Sequence, residues 1–348
     1  MLLIQASNIH IGGGATLLRP LLQASFEQKR KVWVDSRFGL PAALAPGVAV
    51  SLVRPTIAAR LQADAQVARQ ASASDVLLCL GNLPPIRRAA CRTVVYLQNR
   101  YLVGPPALEG MPLRERVRLT IERLWLRKLV THAHLFLVQT PSMQYAVCKY
   151  LNLEQNRVRI APYLPGDTSW PRRLAPCMQV HDEDQRPFLY VASGERHKNH
   201  RTLVQAWSRL AAEGIFPRLQ LTLDQGRFPL LSEWIEEQAK RHGLLLEVNA
   251  VTRENVPQLY RKARALVYPS RFESFGLPLI EARQAGLPVL APELDYVRDV
   301  LDPDQSFDAN SARSIARAVK RFLGLDEPDL PTMGAERFMQ MLWAECRR

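Results

Sequence analysis

The chain has 348 residues, 47% of them hydrophobic and 23% charged. This is the composition of a soluble globular protein of about two domains, and it excludes a collagen, a coiled coil and a long disordered tail. The 46 Lys and Arg against 33 Asp and Glu leave a net charge of +13, which predicts an anionic partner without choosing among nucleic acid, membrane surface and phosphorylated substrate.

Leu2 to Ile9 reads as a first strand, followed by a glycine loop at Gly12-Gly13-Gly14 and a helix from Ala15 to about Gln28. Lys31 to Asp35, Asp75 to Leu80, Thr93 to Leu97 and Leu135 to Val138 are further strand candidates. Short apolar strands alternating with helical stretches indicate parallel βαβ units. Leu113 to Val130 is the most basic stretch. At helical spacing Leu113, Val117, Ile121 and Leu124 form an apolar stripe, expected to pack on the core, with Arg116, Arg123 and Arg127 on a basic face. Solvent is one destination for that basic face, and an anionic membrane surface is the other.

Five prolines and the acidic run Asp182-Glu183-Asp184 fall between residues 162 and 187, a linker composition. Strands are then expected at Phe188 to Ala192, Leu219 to Leu223, Leu245 to Val248, Leu266 to Tyr268 and Val289 to Ala291. Helices are expected at Arg201 to Ala212, Ser232 to Arg241, Val256 to Lys262, Leu279 to Ala285, Ala312 to Phe322 and Ala335 to Cys346. The fold class is therefore α/β, with two doubly wound Rossmann-like domains, residues 1–165 and 166–332, facing across a cleft. All the surplus positive charge lies in residues 1–165, with 21 basic against 8 acidic side chains; the remainder has 25 of each.

The chemistry concentrates in Tyr268 to Pro288, YPSRFESFGLPLIEARQAGLP. A strand ends in a loop carrying Glu273, Ser274, Phe275, Gly276 and Leu277, and Pro278 opens a helix that carries Glu281. A glycine lets backbone approach a ligand, and the free N–H groups of a helix start suit a phosphate. Two carboxylates beside such an anion site fit a ligand that joins phosphate to polyhydroxylated rings. The combined string resembles the E-x7-E signature of the retaining, nucleotide-sugar-dependent glycosyltransferases of family 4, which have the GT-B fold: Tyr268-Pro269-Ser270, Glu273-x-Phe275-Gly276-Leu277-Pro278, Glu281-Ala282 and Gly286-x-Pro288 all take part. Ser193-Gly194-Glu195-Arg196-His197-Lys198-Asn199, between a strand and a helix, looks like the glycine-to-lysine loop of that family.

The resemblance implies transfer of a sugar from a UDP- or GDP-sugar to a hydroxyl of a glycan or lipid-linked acceptor, in cell-surface polysaccharide or lipopolysaccharide synthesis. By the same resemblance Lys198 and Arg196 hold the donor diphosphate, Glu273 orients the donor sugar and Glu281 binds the ribose. Val251 and Thr252 lie where members hold the nucleotide base. Gly13 and Gly14 match the N-terminal glycine loop beside the donor sugar or the acceptor. The first domain receives the acceptor, and the last helix, 333–348, packs back on it. Many relatives carry a histidine where this chain has Gln98 or Asn99, which bond to a sugar but are no general base; the leaving phosphate is implied to take the acceptor proton. No metal and no cofactor besides the donor are expected.

Two other classes compete. One is a non-catalytic homologue acting as a scaffold, against which the joint presence of Glu273, Glu281 and Lys198 counts. The other is a nucleic-acid-binding protein, for which charge alone speaks and no recognition motif is present. No Lys or Arg precedes the apolar start of the chain and no run of about 18 apolar residues occurs, so neither signal peptide nor transmembrane helix is expected. Five cysteines without a C-x-x-C pair argue against disulfides or zinc. The expected location is cytoplasmic, at most peripheral on the inner face of the cytoplasmic membrane.

Overall fold

A computed structural model describes residues 1–104, 111–164, 185–325, 327, 330 and 332–347. The chain divides into two compact units: Met1–Arg172 with Asp329–Arg348, and Arg173–Pro328. The stretch expected to act as a linker lies, from 165 to 184, outside the described residues.

In the first unit the strands are β1 (Leu2–Ala6), β2 (Arg30–Asp35), β3 (Val48–Val53), β4 (Val76–Cys79), β5 (Arg92–Tyr96), β6 (Leu135–Val138) and β7 (Val158–Ile160). They form a parallel sheet in the order β3-β2-β1-β4-β5-β6-β7. Its helices are α1 (Gly12–Gln23), α2 (Ile57–Gln70), α3 (Leu113–Lys128) and α4 (Pro141–Leu151). Alternate residues of each strand feed separate cores on the two faces: Leu2 and Ile4 enter one cluster, Leu3 the other. Strands covered on both faces read as near-continuous apolar runs, as in the fully buried VLLC of β4.

The second unit repeats the plan with β8 (Phe188–Tyr190), β9 (Leu219–Leu221), β10 (Leu246–Val248), β11 (Ala265–Val267), β12 (Val289–Pro292) and β13 (Gln305–Phe307), in the parallel order β10-β9-β8-β11-β12-β13. Its helices are α5 (His200–Ala212), α6 (Pro229–His242), α7 (Val256–Lys262), α8 (Leu277–Gln284), α9 (Asp295–Arg298) and α10 (Ala312–Phe322). The strand order reverses between β8 and β11. An open α/β sheet binds ligands at such a switch point, outside the carboxyl ends of its strands.

The last helix, α11 (Ala335–Glu345), belongs to the first unit. Phe338 stacks on Tyr163, centroids 4.9 Å apart, and meets Tyr96 edge-on at 5.5 Å, while the Ser25 amide donates to Glu336 Oε1 at 3.1 Å.

Two local expectations are corrected. The three glycines are not a loop ahead of α1 but its first turn, and α1 ends at Gln23 rather than near Gln28. The chain leaves Ile9, whose side chain lies 3.4 Å from where a Cβ on Gly14 would sit, and enters the helix at once through Gly12 at φ +70°. The α3 stripe faces outward. Leu119 and Leu126 carry the burial, whereas Leu113 is 73% exposed and Val117, Ile121 and Leu124 are each more than half exposed. Among the described residues no helix is long and apolar enough to cross a membrane.

Candidate functional site

The loops after β8 and β11 meet at the switch point of the second unit. After Tyr190 the chain forms a short 3-10 turn, Arg196–Lys198, and passes into α5 through Asn199, held left-handed at φ +66°. The Tyr190 hydroxyl donates to the Lys198 carbonyl at 2.5 Å. The Arg271 amide donates to the His197 carbonyl at 2.9 Å, and Asn199 Nδ2 donates to the Pro269 carbonyl at 3.1 Å, so the two loops are fastened together. The second loop enters α8 through Gly276 at φ +72°; a side chain there would be strained and its Cβ would lie 2.9 Å from Leu279 Cδ1.

These loops aim one lysine at one glutamate. Lys198 Nζ donates to Glu273 Oε1 at 2.7 Å, and the same oxygen accepts from Ser270 Oγ at 2.6 Å and from the Tyr268 hydroxyl at 3.0 Å. Burial pushes the Glu273 carboxyl up, but the hydrogen bonds from Lys198, Ser270 and Tyr268 outweigh it and hold the group below the usual glutamate range. One turn into α8, Glu281 Oε2 accepts from the Tyr260 hydroxyl of α7 at 3.0 Å, and its Oε1 lies 3.7 Å from Arg253. Burial first, then Glu281, pushes the Tyr260 phenol well up, so it stays a donor. Both carboxylates are therefore held in fixed orientations on the wall of an open pocket of about 1230 Å³.

Of the residues singled out above, Lys198, Glu273, Ser274, Phe275, Gly276, Leu277, Glu281 and Val251 line this pocket. Thr252 does not; it is exposed at the start of a 3-10 turn beside it. Arg196 does not either: it lines a neighbouring cavity, and the arginines on the pocket wall are Arg227, Arg253 and Arg261. The hydroxyls of Tyr268, Ser270 and Tyr260 set the two glutamates; the sequence marks all three residues, the first two within the string around Glu273 and Tyr260 downstream of Val251-Thr252, but not the hydrogen bonds they make.

The remaining candidates belong to the first unit. Among the described residues, no atom beyond its chain neighbours and its own helix backbone lies within 4 Å of where a Cβ on Gly13 would sit. The amides of Gln98 and Asn99 both donate to Asn82 Oδ1, at 2.7 and 3.0 Å, and Asn99 Oδ1 accepts from the Tyr101 amide, so Asn99 is spent on capping its own turn. Gln98 Nε2 is buried without a partner among the described residues. On α3, Arg123 donates to the carbonyls of Tyr101 and Gly104, Arg127 stacks 4.2 Å over the Tyr150 ring, and Arg116 stands in solvent. Among the described residues no group of His, Cys, Asp and Glu could hold a metal ion.

Two doubly wound units, the second bearing a lysine–carboxylate pocket at the carboxyl ends of its strands, define a fold of the GT-B glycosyltransferase class. Residues 178–333 match the family described as Glycosyl transferases group 1. It is 26% identical over 251 residues to O-antigen chain mannosyltransferase B of Escherichia coli, covering 67% of this chain and 63% of that protein. It is 31% identical over 142 residues to the serotype-specific mannosyltransferase WbdA of Escherichia coli, covering 40% and 17%. The chain thus spans less than two thirds of the length of these relatives. It is also 23% identical over 311 residues to alpha-D-kanosaminyltransferase of Streptomyces kanamyceticus, covering 87% and 79%.

Proposed function

We propose that the chain transfers a sugar, with retention, from a nucleoside diphosphate donor to a hydroxyl of a glycan or lipid-linked acceptor in the synthesis of a cell-surface polysaccharide. The observation that carries this reading is the Lys198–Glu273 contact of 2.7 Å beside the amino end of α8. Lys198 and the free N–H groups of α8 neutralise the charge growing on the leaving diphosphate. Glu273 orients the sugar through its hydroxyls, and Glu281 holds the ribose. The bond from the anomeric carbon to the diphosphate oxygen breaks, the bond to the acceptor oxygen forms on the same face, and the acceptor proton passes to the leaving phosphate. The mannosyltransferase names of two relatives make a mannosyl donor the first to try. A donor that binds the native state raises its melting temperature by mass action. GDP-mannose or another UDP- or GDP-sugar at millimolar concentration is expected to raise Tm and, with acceptor, to be consumed. No shift with any of them would refute the reading.

The outward stripe of α3 supports a second element, contact with an anionic lipid surface. On the helix, Arg114 and Arg118 flank the stripe on one side and Arg116 and Arg127 on the other, with the buried Leu119 and Leu126 opposite. Each apolar side chain entering the acyl boundary, and each Arg at an anionic surface, contributes about 1 kcal/mol or more. The double variant Val117→Asp/Ile121→Asp is expected to keep the wild-type Tm, because neither side chain is in the core, and to lose co-sedimentation with phosphatidylglycerol vesicles. Unchanged pelleting would exclude this contact.

A further inference from the structure

We infer that the cavity between the amino ends of α5 and α6 is a second oxyanion site, taking a phosphate group carried by a substrate other than the donor diphosphate. The cavity is about 560 Å³, and neither Lys198 nor Glu273 lines it. It shares Arg227 and Phe228 with the donor pocket, and the Phe228 ring lies so close over Gly194 that any side chain there would overlap it. The two spaces are thus neighbours separated by one aromatic wall.

Three features point to an anion. The first is charge. Arg196, Arg201, Arg227 and Arg271 line the cavity against a single acid, Glu195, and both oxygens of that acid are engaged, one by Ser193 Oγ and the other facing Arg227 at 3.8 Å. Arg201 is braced over the Trp234 ring at 4.5 Å and Arg227 lies over Phe228 at 5.3 Å, so two of the guanidinium groups are held in place. Four cations in one concavity repel one another unless an anion is present.

The second feature is the pair of helix ends. Neither Asn199 before α5 nor Phe228 before α6 caps its helix with a side chain; Asn199 Oδ1 accepts from the Thr202 hydroxyl instead. The first N–H groups of a helix have no carbonyl of their own to bond. Here those of Arg201, Thr202, Leu230 and Leu231 belong to residues that line the cavity. Helices of 13 and 14 residues both direct their positive ends to it. The third feature is His200, which lines the same wall, is 2% exposed and has, among the described residues, no hydrogen-bond partner on either ring nitrogen. A buried unmet donor of this kind marks a place where a partner is missing.

The volume exceeds what a bare phosphate needs, which favours a phosphate attached to a sugar over the free ion. Thermal shift with a sugar 1-phosphate and with orthophosphate, each against sodium chloride of matched ionic strength, tests this. The sugar 1-phosphate is expected to raise Tm in the wild type and equally in Lys198→Ala, which disables the donor pocket, and to lose its effect in Arg201→Ala/Arg271→Ala. That double variant alters exposed side chains and is expected to keep the wild-type Tm without ligand. No rise in the wild type, a rise lost in Lys198→Ala, or a rise retained in the double variant would each overturn the site. Stabilisation by orthophosphate alone would overturn its assignment to a substrate group. These outcomes do not depend on whether GDP-mannose or any other donor binds.

Discussion

Replacing Lys198 by alanine is expected to lower kcat/KM for sugar transfer by about 10²–10³, the cost of removing one positioned donor from a developing oxyanion. The chain folds around this side chain in a way that makes the loss specific. Its carbonyl is held by Tyr190 and its turn by Asn199, so the backbone stays in place when the ammonium is removed. Glu273 keeps Ser270 and Tyr268 but loses the Lys198 ammonium while remaining largely buried. Its carboxyl then responds mainly to burial, which raises its pKa. In the wild type the folded pKa is depressed, so the stability from the Lys198–Glu273 pair is present above the ordinary glutamate pKa and is lost as the pH falls through the lowered one. The Tm gap between wild type and variant is therefore expected to close as the solution is acidified below pH 4.5, the unperturbed value. Full activity in Lys198→Ala would remove the site assignment, and a gap independent of pH would remove the ion-pair explanation.

Asn199→Ala is expected to destabilise the second unit by about 3–5 kcal/mol. Asn199 is buried and left-handed, a conformation that costs an alanine about 1–2 kcal/mol. Its Nδ2 bridges the carbonyls of Pro269 and Ala309, at 3.1 and 2.7 Å, in the loops after β11 and β13. Both carbonyls and the Thr202 hydroxyl lose their partner when the amide goes, at about 1 kcal/mol or more for each buried group. For a unit of this size the fall in Tm is about 10 °C. Asn199→Gly separates the two causes, since glycine adopts the left-handed turn freely but makes none of the bonds. It is expected to recover about 1 kcal/mol of the loss, read from the urea midpoint. If the glycine variant regained wild-type stability, the bridge would be worthless and strain would be the whole effect.

What could be read in the amino-acid order followed burial. Strands such as β4 and β11, covered on both faces, announce themselves as unbroken apolar runs. The edge strand β3 and the short β13 escaped because they are only part-buried, which breaks the run. The α3 stripe shows the limit of periodicity. Spacing identifies a face of a helix but not which side of it the core occupies, and here two leucines outvote four apolar residues. In the site, Glu273, Glu281 and Lys198 were legible because loop chemistry is local to each motif. The contact between Lys198 and Glu273 and the displacement of Arg196 into the next cavity arise from how two loops 75 residues apart are fastened, which no short string encodes.

The return of α11 to the first unit makes the second unit a parenthesis in the chain. Residues 173–328 are one uninterrupted segment whose two ends both rejoin the same body, and the stacked rings of Tyr163 and Phe338 close that body from opposite sides of the insertion. A chain cut after residue 328 would strip Tyr96 and Tyr163 of their aromatic cover and leave the first unit with an open apolar seam. Exchange of 173–328 for the matching segment of a relative removes no core residue from the first unit. The pocket of Lys198 and Glu273 is thus carried on a replaceable cassette, while the remainder of the protein depends on reaching its own last helix.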